Sequence, residues 1–300
     1  MAASVVVLGG TNSDILAHPG SVNLNLRTSN PGRVTISPGG VGRNIAESLS
    51  RLEVPVTLLS AVSGDGLGDE VLRRTAAAGV QCGSVVRGAP EESGMYVAFH
   101  DTRGDLHVAV SDMRVMERCD EQYILEKRRL IETAAYLVVD ANVPLPTARR
   151  AISLAAEAGV PVILEPVSVA KAGALSALEA TAFLATPNRD EVSPLLGGAL
   201  EVDELLVTRG ALGVGWVSRG SNRCDLFPEV PRLEGWTNGA GDAFLAGVVA
   251  ALFRGLPSAE AIRWGMGAAR LTLGTPETTY TGMSVALLRE EMEHANTDQG

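Results

Sequence analysis

Short, almost continuously apolar runs recur along this chain of 300 residues, separated by longer segments with helical spacing. The runs are Val5–Leu8, Val56–Ser60, Tyr136–Val139, Val162–Glu165, Ala182–Ala185, Leu205–Thr208 and Val214–Val217. A strand with no polar face has to be covered on both sides, so the pattern predicts strands of a mostly parallel sheet. Helices are predicted over Arg43–Arg51, Leu67–Ala78, Glu121–Thr133, Pro146–Ala158, Thr237–Phe253 and Ala259–Leu273. Strands alternating with helices predict an α/β fold, a sheet flanked by helices that binds ligands beyond the carboxyl ends of its strands.

Two regions switch to a period of two. Ser21–Ser37 alternates through Val22-Asn23-Leu24-Asn25-Leu26 and then Val34-Thr35-Ile36, with Asn30-Pro31-Gly32 as the turn. Gly94–Val110 alternates through Tyr96–Phe99 and Leu106–Val110, turning at Thr102-Arg103-Gly104. Such alternation predicts antiparallel hairpins. Together they predict a small β-sheet lid, made of about residues 15–37 and 93–112, on a single domain spanning 1–300. Exposed strand edges in a lid are open to pairing, which predicts a homodimer through it.

Composition narrows the partners. An apolar content of 46% supplies a large core, and a net charge of −10 argues against a surface that coats nucleic acid. A small anionic ligand is still compatible, because a local cradle outweighs a distant net charge. Cys82, Cys119 and Cys224 lack metal-ligand spacing and are odd in number, as expected of reduced thiols in the cytoplasm. Met1-Ala2-Ala3-Ser4 lacks the basic start and apolar stretch of a secretion signal. The longest apolar stretch, Ala243–Phe253, is too short to span a bilayer and predicts a buried helix. Lysine occurs only at 127 and 171 in a chain whose cations are otherwise arginines.

The candidate chemistry sits in glycine-rich turns. In Trp236-Thr237-Asn238-Gly239-Ala240-Gly241-Asp242 a carboxylate follows three small residues at the mouth of an apolar helix. Uncovered backbone N–H groups and the helix start suit an anion, and Asp242 beside them suits a general base for phosphoryl transfer to an alcohol. An Asp serving only the helix start fits the same residues. Ser37-Pro38-Gly39-Gly40-Val41-Gly42-Arg43-Asn44 opens another helix, where backbone at Gly40 and the amide of Asn44 suit ligand hydroxyls. Asn188 and Glu191 share a helix-start face that suits hydrated Mg²⁺, or a simple cap, and Thr208–Gly213 suits a nucleotide. Gly64–Gly68 reads as a helix-entry turn, and Val5–Asp14 lacks dinucleotide-site spacing.

Taken together and in order, Gly39–Asn44, Asn188–Glu191, Thr208–Gly213 and Gly239–Asp242 resemble the ribokinase-like (PfkB) carbohydrate and nucleoside kinases over nearly the whole chain. Ser29–Gly32, Gly39–Glu47, Ser111-Asp112-Met113 and Glu165–Lys171 resemble the branch of that family that acts on pseudouridine. The resemblance implies ATP- and Mg²⁺-dependent phosphorylation of the ribose 5′-hydroxyl of that nucleoside. It implies Asp242 as base and Gly239, Ala240 and Gly241 as anion hole. Asn12, Asp14, Ser29, Gly40, Asn44, Tyr96, Asp112, Asn142 and Lys171 would surround the nucleoside, with Asp14 and Asn44 on its ribose hydroxyls. Asn188, Thr208, Gly210 and Gly213 would line the ATP site, with Glu191 supporting the metal. Trp236 stands where the family usually carries Asp or Asn near a monovalent-cation site, and Trp supplies no such ligand, so K⁺ activation is not implied. Ribose, fructose or adenosine as acceptor, and a non-catalytic nucleoside sensor, are the rival readings.

Overall fold

The computed structural model describes residues 3–21, 25, 27–89, 92, 94–102, 106–221, 224–228, 238–273, 275 and 277–297. Strands along the chain are β1 (Val5–Leu8), β2 (Asn12–Pro19), β3 (Gly32–Gly39), β4 (Val56–Leu59), β5 (Ala61–Val62), β6 (Val86–Arg87), β7 (Met95–His100) and β8 (Leu106–Asp112). They continue with β9 (Tyr136–Asp140), β10 (Val162–Glu165), β11 (Thr181–Ala185), β12 (Glu201–Thr208), β13 (Val214–Ser218) and β14 (Asp225–Phe227). Helices are α1 (Val41–Arg51), α2 (Gly66–Ala77), α3 (Glu121–Glu126), α4 (Arg128–Glu132), α5 (Leu145–Glu157), α6 (Val169–Leu175), α7 (Arg189–Leu195), α8 (Ala240–Phe253), α9 (Ser258–Leu273) and α10 (Val285–Thr297).

The main sheet runs β14-β13-β12-β11-β10-β9-β1-β4. It is parallel from β4 to β12, and β13 and β14 close one edge antiparallel. The apolar strands are buried on both faces, as a covered parallel sheet requires. Val6 and Leu8 pack with α3, α4 and α5 on one side, through residues such as Ile124, Ile131 and Ile152. Val5 and Val7 pack on the other with Ile45 and Leu49 of α1 and with α8 and α9. The run Ala243–Ala251 is buried, so the long apolar stretch is a core helix. Among the described residues no helix is long and apolar enough to cross a membrane.

A separate four-stranded sheet has the order β3-β2-β7-β8. The second predicted hairpin is present as β7 and β8, though residues 103–105 of its turn lie outside the described residues. The first differs from expectation. Its partner for β3 is Asn12–Pro19, in antiparallel register from Asn12↔Gly39 to Pro19↔Gly32, and not the alternating run at 22–26. Of that run only Asn25 is described. Asn12 and Asp14 therefore stand on a strand of the small sheet rather than in a loop after β1. The predicted helix 121–133 is broken at Lys127 into α3 and α4. The predicted helix from Thr237 begins at Ala240, behind a left-handed Gly239, and Thr237 lies outside the described residues. Asp65 caps α2 by accepting from Leu67 N–H (3.1 Å) and Gly68 N–H (2.9 Å), so Gly64–Gly68 is a helix-entry turn.

Candidate active site

The parallel register sets the polar residues along one edge of the main sheet. Leu8 lies beside Val139, and Asp140 beside Glu165, so Gly9, Asp140 and Glu165 all emerge from the carboxyl ends of adjacent strands. Asp140 is fully buried and accepts from the N–H groups of Gly10 and Asn142, both at 2.8 Å. Burial pushes its carboxyl up, against these hydrogen bonds. A Cβ on Gly9 would stand 2.4 Å from Asp140 Oδ2, so only glycine leaves room for that carboxylate.

Asp242, on the first turn of α8, meets this edge from the opposite end of the sequence. Its Oδ2 accepts from Asn44 Nδ2 at 2.8 Å. Burial pushes the Asp242 carboxyl up to about 7, helped by the charges of Asp140 and Asp14 and opposed by Asn44 and Arg43. A carboxylate with that proton affinity is matched to general-base work near neutrality. No side chain caps α8 among the described residues, and its first intrahelical bond is Ala243 N–H to Gly239 O at 2.9 Å. The N–H groups of Ala240, Gly241 and Asp242 precede that bond, at the positive end of a fourteen-residue helix. Gly241 is exposed, and a Cβ there would meet nothing within 4 Å, so this end is open to a ligand. Trp236 lies outside the described residues.

The small sheet brings further predicted residues to the same place. Asn12 Nδ2 donates to Asp14 Oδ1 at 2.6 Å, and burial pushes the Asp14 carboxyl up to about 6. Gly39 lies against this carboxylate, with no room for a Cβ, and Gly40 (φ 99°) presses its backbone against Gly10 and Thr11. Tyr96 is the register partner of Asp14 on β7, and burial with the Asp14 charge pushes its hydroxyl up. Asp112, opposite Met95, pairs with Arg114, whose guanidinium holds its carboxyl below the usual range. Lys171 comes from α6, a helix the sequence pattern does not announce, and donates to Asn142 Oδ1. Ser29 is not brought to this group within the chain. It is exposed beyond the Pro19–Gly32 end of the hairpin, and Pro19 is already about 17 Å along the strand from Asp14.

On the other side, Asn188 and Glu191 form a capping box at the start of α7. Asn188 Oδ1 accepts from Asp190 N–H (2.9 Å) and Glu191 N–H (3.1 Å), and Glu191 Oε2 accepts from Asn188 N–H (2.9 Å). The cap fixes the buried Glu191 in place and leaves Oε1 outside it. Asn188 bridges to Thr208 at the end of β12, and the turn beyond carries the left-handed Gly210 and Gly213. Between the two halves lies Glu165, which accepts from Thr186 Oγ1 at 2.5 Å. Burial pushes it up to about 8, and the charges of Asp242 and Glu191 add to the effect. Asp140, Glu165 and Arg43 were not singled out as site residues from sequence. The available signal was a lone acid ending an apolar strand, as in Tyr136–Asp140 and Val162–Glu165.

The pattern of pfkB family carbohydrate kinases matches residues 2–284. The chain belongs to that family. It is 30% identical over 310 residues to the pseudouridine kinase of Escherichia coli (strain K12), covering 97% of each chain. A carbohydrate kinase from Agrobacterium tumefaciens superposes with a TM-score of 0.82 at 26% identity, over 97% of both chains. The ribokinase of Arabidopsis thaliana, solved with ribose and ATP, shares the fold with a TM-score of 0.82 at 20% identity, over 98% of this chain and 99% of its own. The main sheet, its flanking helices and the small separate sheet are thus the ribokinase-like fold. Family membership makes the chain a sugar or nucleoside kinase, a phosphotransferase with an alcohol acceptor.

Proposed function

We infer that this chain transfers the terminal phosphoryl group of ATP to the 5′-hydroxyl of pseudouridine. The observation that carries the chemistry is Asp242, hydrogen-bonded to Asn44 beside the open start of α8. Asp242 takes the proton of the attacking hydroxyl, the hydroxyl oxygen bonds to phosphorus, and the bond to the ADP oxygen breaks. The N–H groups of 240–242 meet the charge on the transferring group, where fixed dipoles contribute most. Asp14 and the backbone at Gly40 hold the ribose, while the Asn44 amide, expected on the ribose hydroxyls, is engaged by Asp242 and Arg43 at its two ends. Asn12, Tyr96, Asp112, Asn142 and Lys171 surround the nucleoside. Thr208, Gly210 and Gly213 line the nucleotide.

Mg²⁺ fits the donor set. Glu191 and Asp242 both raise the proton affinity of Glu165, and a cation among such acids relieves their repulsion. Asn188 and Glu191 would support it through water, where it neutralises phosphate charge. What supports pseudouridine over other acceptors is the 30% identity to a pseudouridine kinase along 97% of both chains. ATP supply and the free thiols of Cys82, Cys119 and Cys224 suit a cytoplasmic enzyme.

Side-by-side assays of pseudouridine, uridine, adenosine and ribose with ATP test the assignment. Pseudouridine is expected to give a kcat/KM at least tenfold above uridine, since an unpaired buried donor costs about 1–3 kcal/mol. Preference for ribose or adenosine would overturn the acceptor and keep the chemistry. Binding without turnover would overturn both.

The small sheet serves as a lid in this reading, and its outer face indicates a partner. Ile36, Ile15, Val97 and Val110 form one cross-strand row and Val34, Ala17, Phe99 and Val108 the next, so their side chains share a face. Val34, Ile36, Phe99, Val108 and Val110 are each at least 50% exposed there. A flat apolar sheet face of this kind suits a second copy of the chain. Sedimentation at micromolar concentration is expected to show a dimer, and Ile36→Lys with Val110→Lys a folded monomer. A monomeric parent protein would sink the interface.

A further inference from the structure

Asn44 can hold Asp242 only if its amide points one way. The NH₂ group must face the carboxylate and the carbonyl oxygen must face elsewhere, and an isolated amide has little to choose between the two orientations. Here the ionised Asp242, which only accepts, selects the NH₂ from one side, and Arg43 selects the oxygen from the other. Arg43 is 2% exposed and its Nη1 donates to Asn44 Oδ1 at 3.0 Å. A guanidinium has donors and no acceptor, so the amide atom it touches has to be the oxygen. Thr278 Oγ1 adds a second donor to the same oxygen at 3.4 Å.

Arg43 is in turn held on every side. Nε donates to Thr75 Oγ1 (3.2 Å), Nη1 also to Pro38 O (3.2 Å), and Nη2 to Glu47 Oε2. Glu47 is equally buried, and its other oxygen accepts from Arg51 at 2.7 and 2.9 Å. A buried, fully partnered arginine whose remaining donor ends on a side chain of the site is more than core filling.

We propose that Arg43 is a positioning residue for phosphoryl transfer: by donating to Asn44 Oδ1 it fixes the amide with its NH₂ toward Asp242, and so aligns the base. The proposal rests on Asp242 being the base. Without Arg43 the Asn44 oxygen keeps only the long Thr278 contact, so the amide is held loosely, which misaligns the base and weakens the donor to its charged form. The other groups acting on Asp242 are Asp140 from β9, Asp14 from β2 and Glu165 from β10, all acids, so nothing among them replaces the weakened donor.

The test compares Arg43→Gln, Arg43→Lys and Asn44→Ala with the parent enzyme, each as the full chain, using pseudouridine and ATP. Both Arg43 variants are expected to lose about tenfold in kcat near neutrality and to move the acid limb of the kcat–pH profile up by about one unit. KM for the nucleoside should change less than threefold. In an Asn44→Ala background Arg43→Lys, which keeps the charge that also acts directly on Asp242, should cost no further activity, because the path runs through that amide. Arg43→Lys keeps a cation beside Glu47, so it carries the test if Arg43→Gln does not fold. A uniform loss of activity with an unmoved pH midpoint, or an Arg43→Lys loss that adds in full to Asn44→Ala, would overturn the proposal. Full activity in Asp242→Ala would instead overturn the underlying assignment of the base.

Discussion

Asp242→Asn is expected to lower kcat by a factor on the order of 10²–10⁴, the usual contribution of a general base. The substitution keeps the volume and removes the proton acceptor, while the start of α8 and the acceptor pocket remain. Nucleoside binding by calorimetry should therefore stay within a few-fold of the parent protein. The pH profile follows from the same carboxyl. A base must be unprotonated to act, and burial holds Asp242 at about 7. The parent rate should rise through that pH and level off above it, and the residual rate of the variant should lack this limb. A variant within tenfold of the parent at pH 8 would remove Asp242 from the chemistry.

Gly239→Ala is the second large effect, and it acts through backbone. Gly239 has a φ of 78°, in the left-handed region, and a Cβ there would stand 1.8 Å from the Thr278 carbonyl oxygen. The left-handed conformation alone costs an L-residue about 1–2 kcal/mol. The clash cannot be relieved by turning a side chain, because the opposing atom is main chain. Either Thr278 or the start of α8 has to move, and the N–H groups of 240–242 move with it. We expect a loss on the order of 10²–10³ in kcat, the scale seen when one anion-hole donor is removed. Gly241→Ala is the matching control for the fold. It meets open space, so its melting temperature should match the parent's while that of Gly239→Ala falls. Equal melting temperatures and full activity in Gly239→Ala would show that α8 starts differently.

Much of the fold was legible because its signals are local. A strand such as Val5–Leu8, apolar on both faces, announces a covered parallel sheet without reference to anything else. The strand Asn12–Pro19 was hidden for the opposite reason. Its Asn12, Ser13 and Asp14 are polar yet buried, so its pattern reflects the site it serves and not a core face. The run at 22–26 alternates more cleanly and attracted the prediction instead. Helices α6 and α10 went unannounced because α6 has only seven residues and α10 buries little beyond Leu288.

The site was partly legible for a similar reason. Glycine turns and the acid behind Gly239–Gly241 show their chemistry over a few residues. Asp140 and Glu165 acquire theirs only from the parallel register that sets them side by side. Arg43 reads as a surface cation on an amphipathic helix until Thr75, Pro38 and Glu47 close around it.

Thr278 has a consequence for the order in which the molecule can become active. Its carbonyl oxygen abuts Gly239, its hydroxyl reaches Pro38 O and Asn44 Oδ1, and Arg51 grips the nearby Thr281 O at 2.5 Å. These contacts join the early turn at 38–44 to the late turn at 239–242 through a segment made later than either. A nascent chain that has already built its sheet still lacks this clamp until residues 278–281 have left the ribosome. A chain released before Thr278 would still pack α1 against α8 and could still pair Asn44 with Asp242, and what it would lack is the backbone buttress behind Gly239.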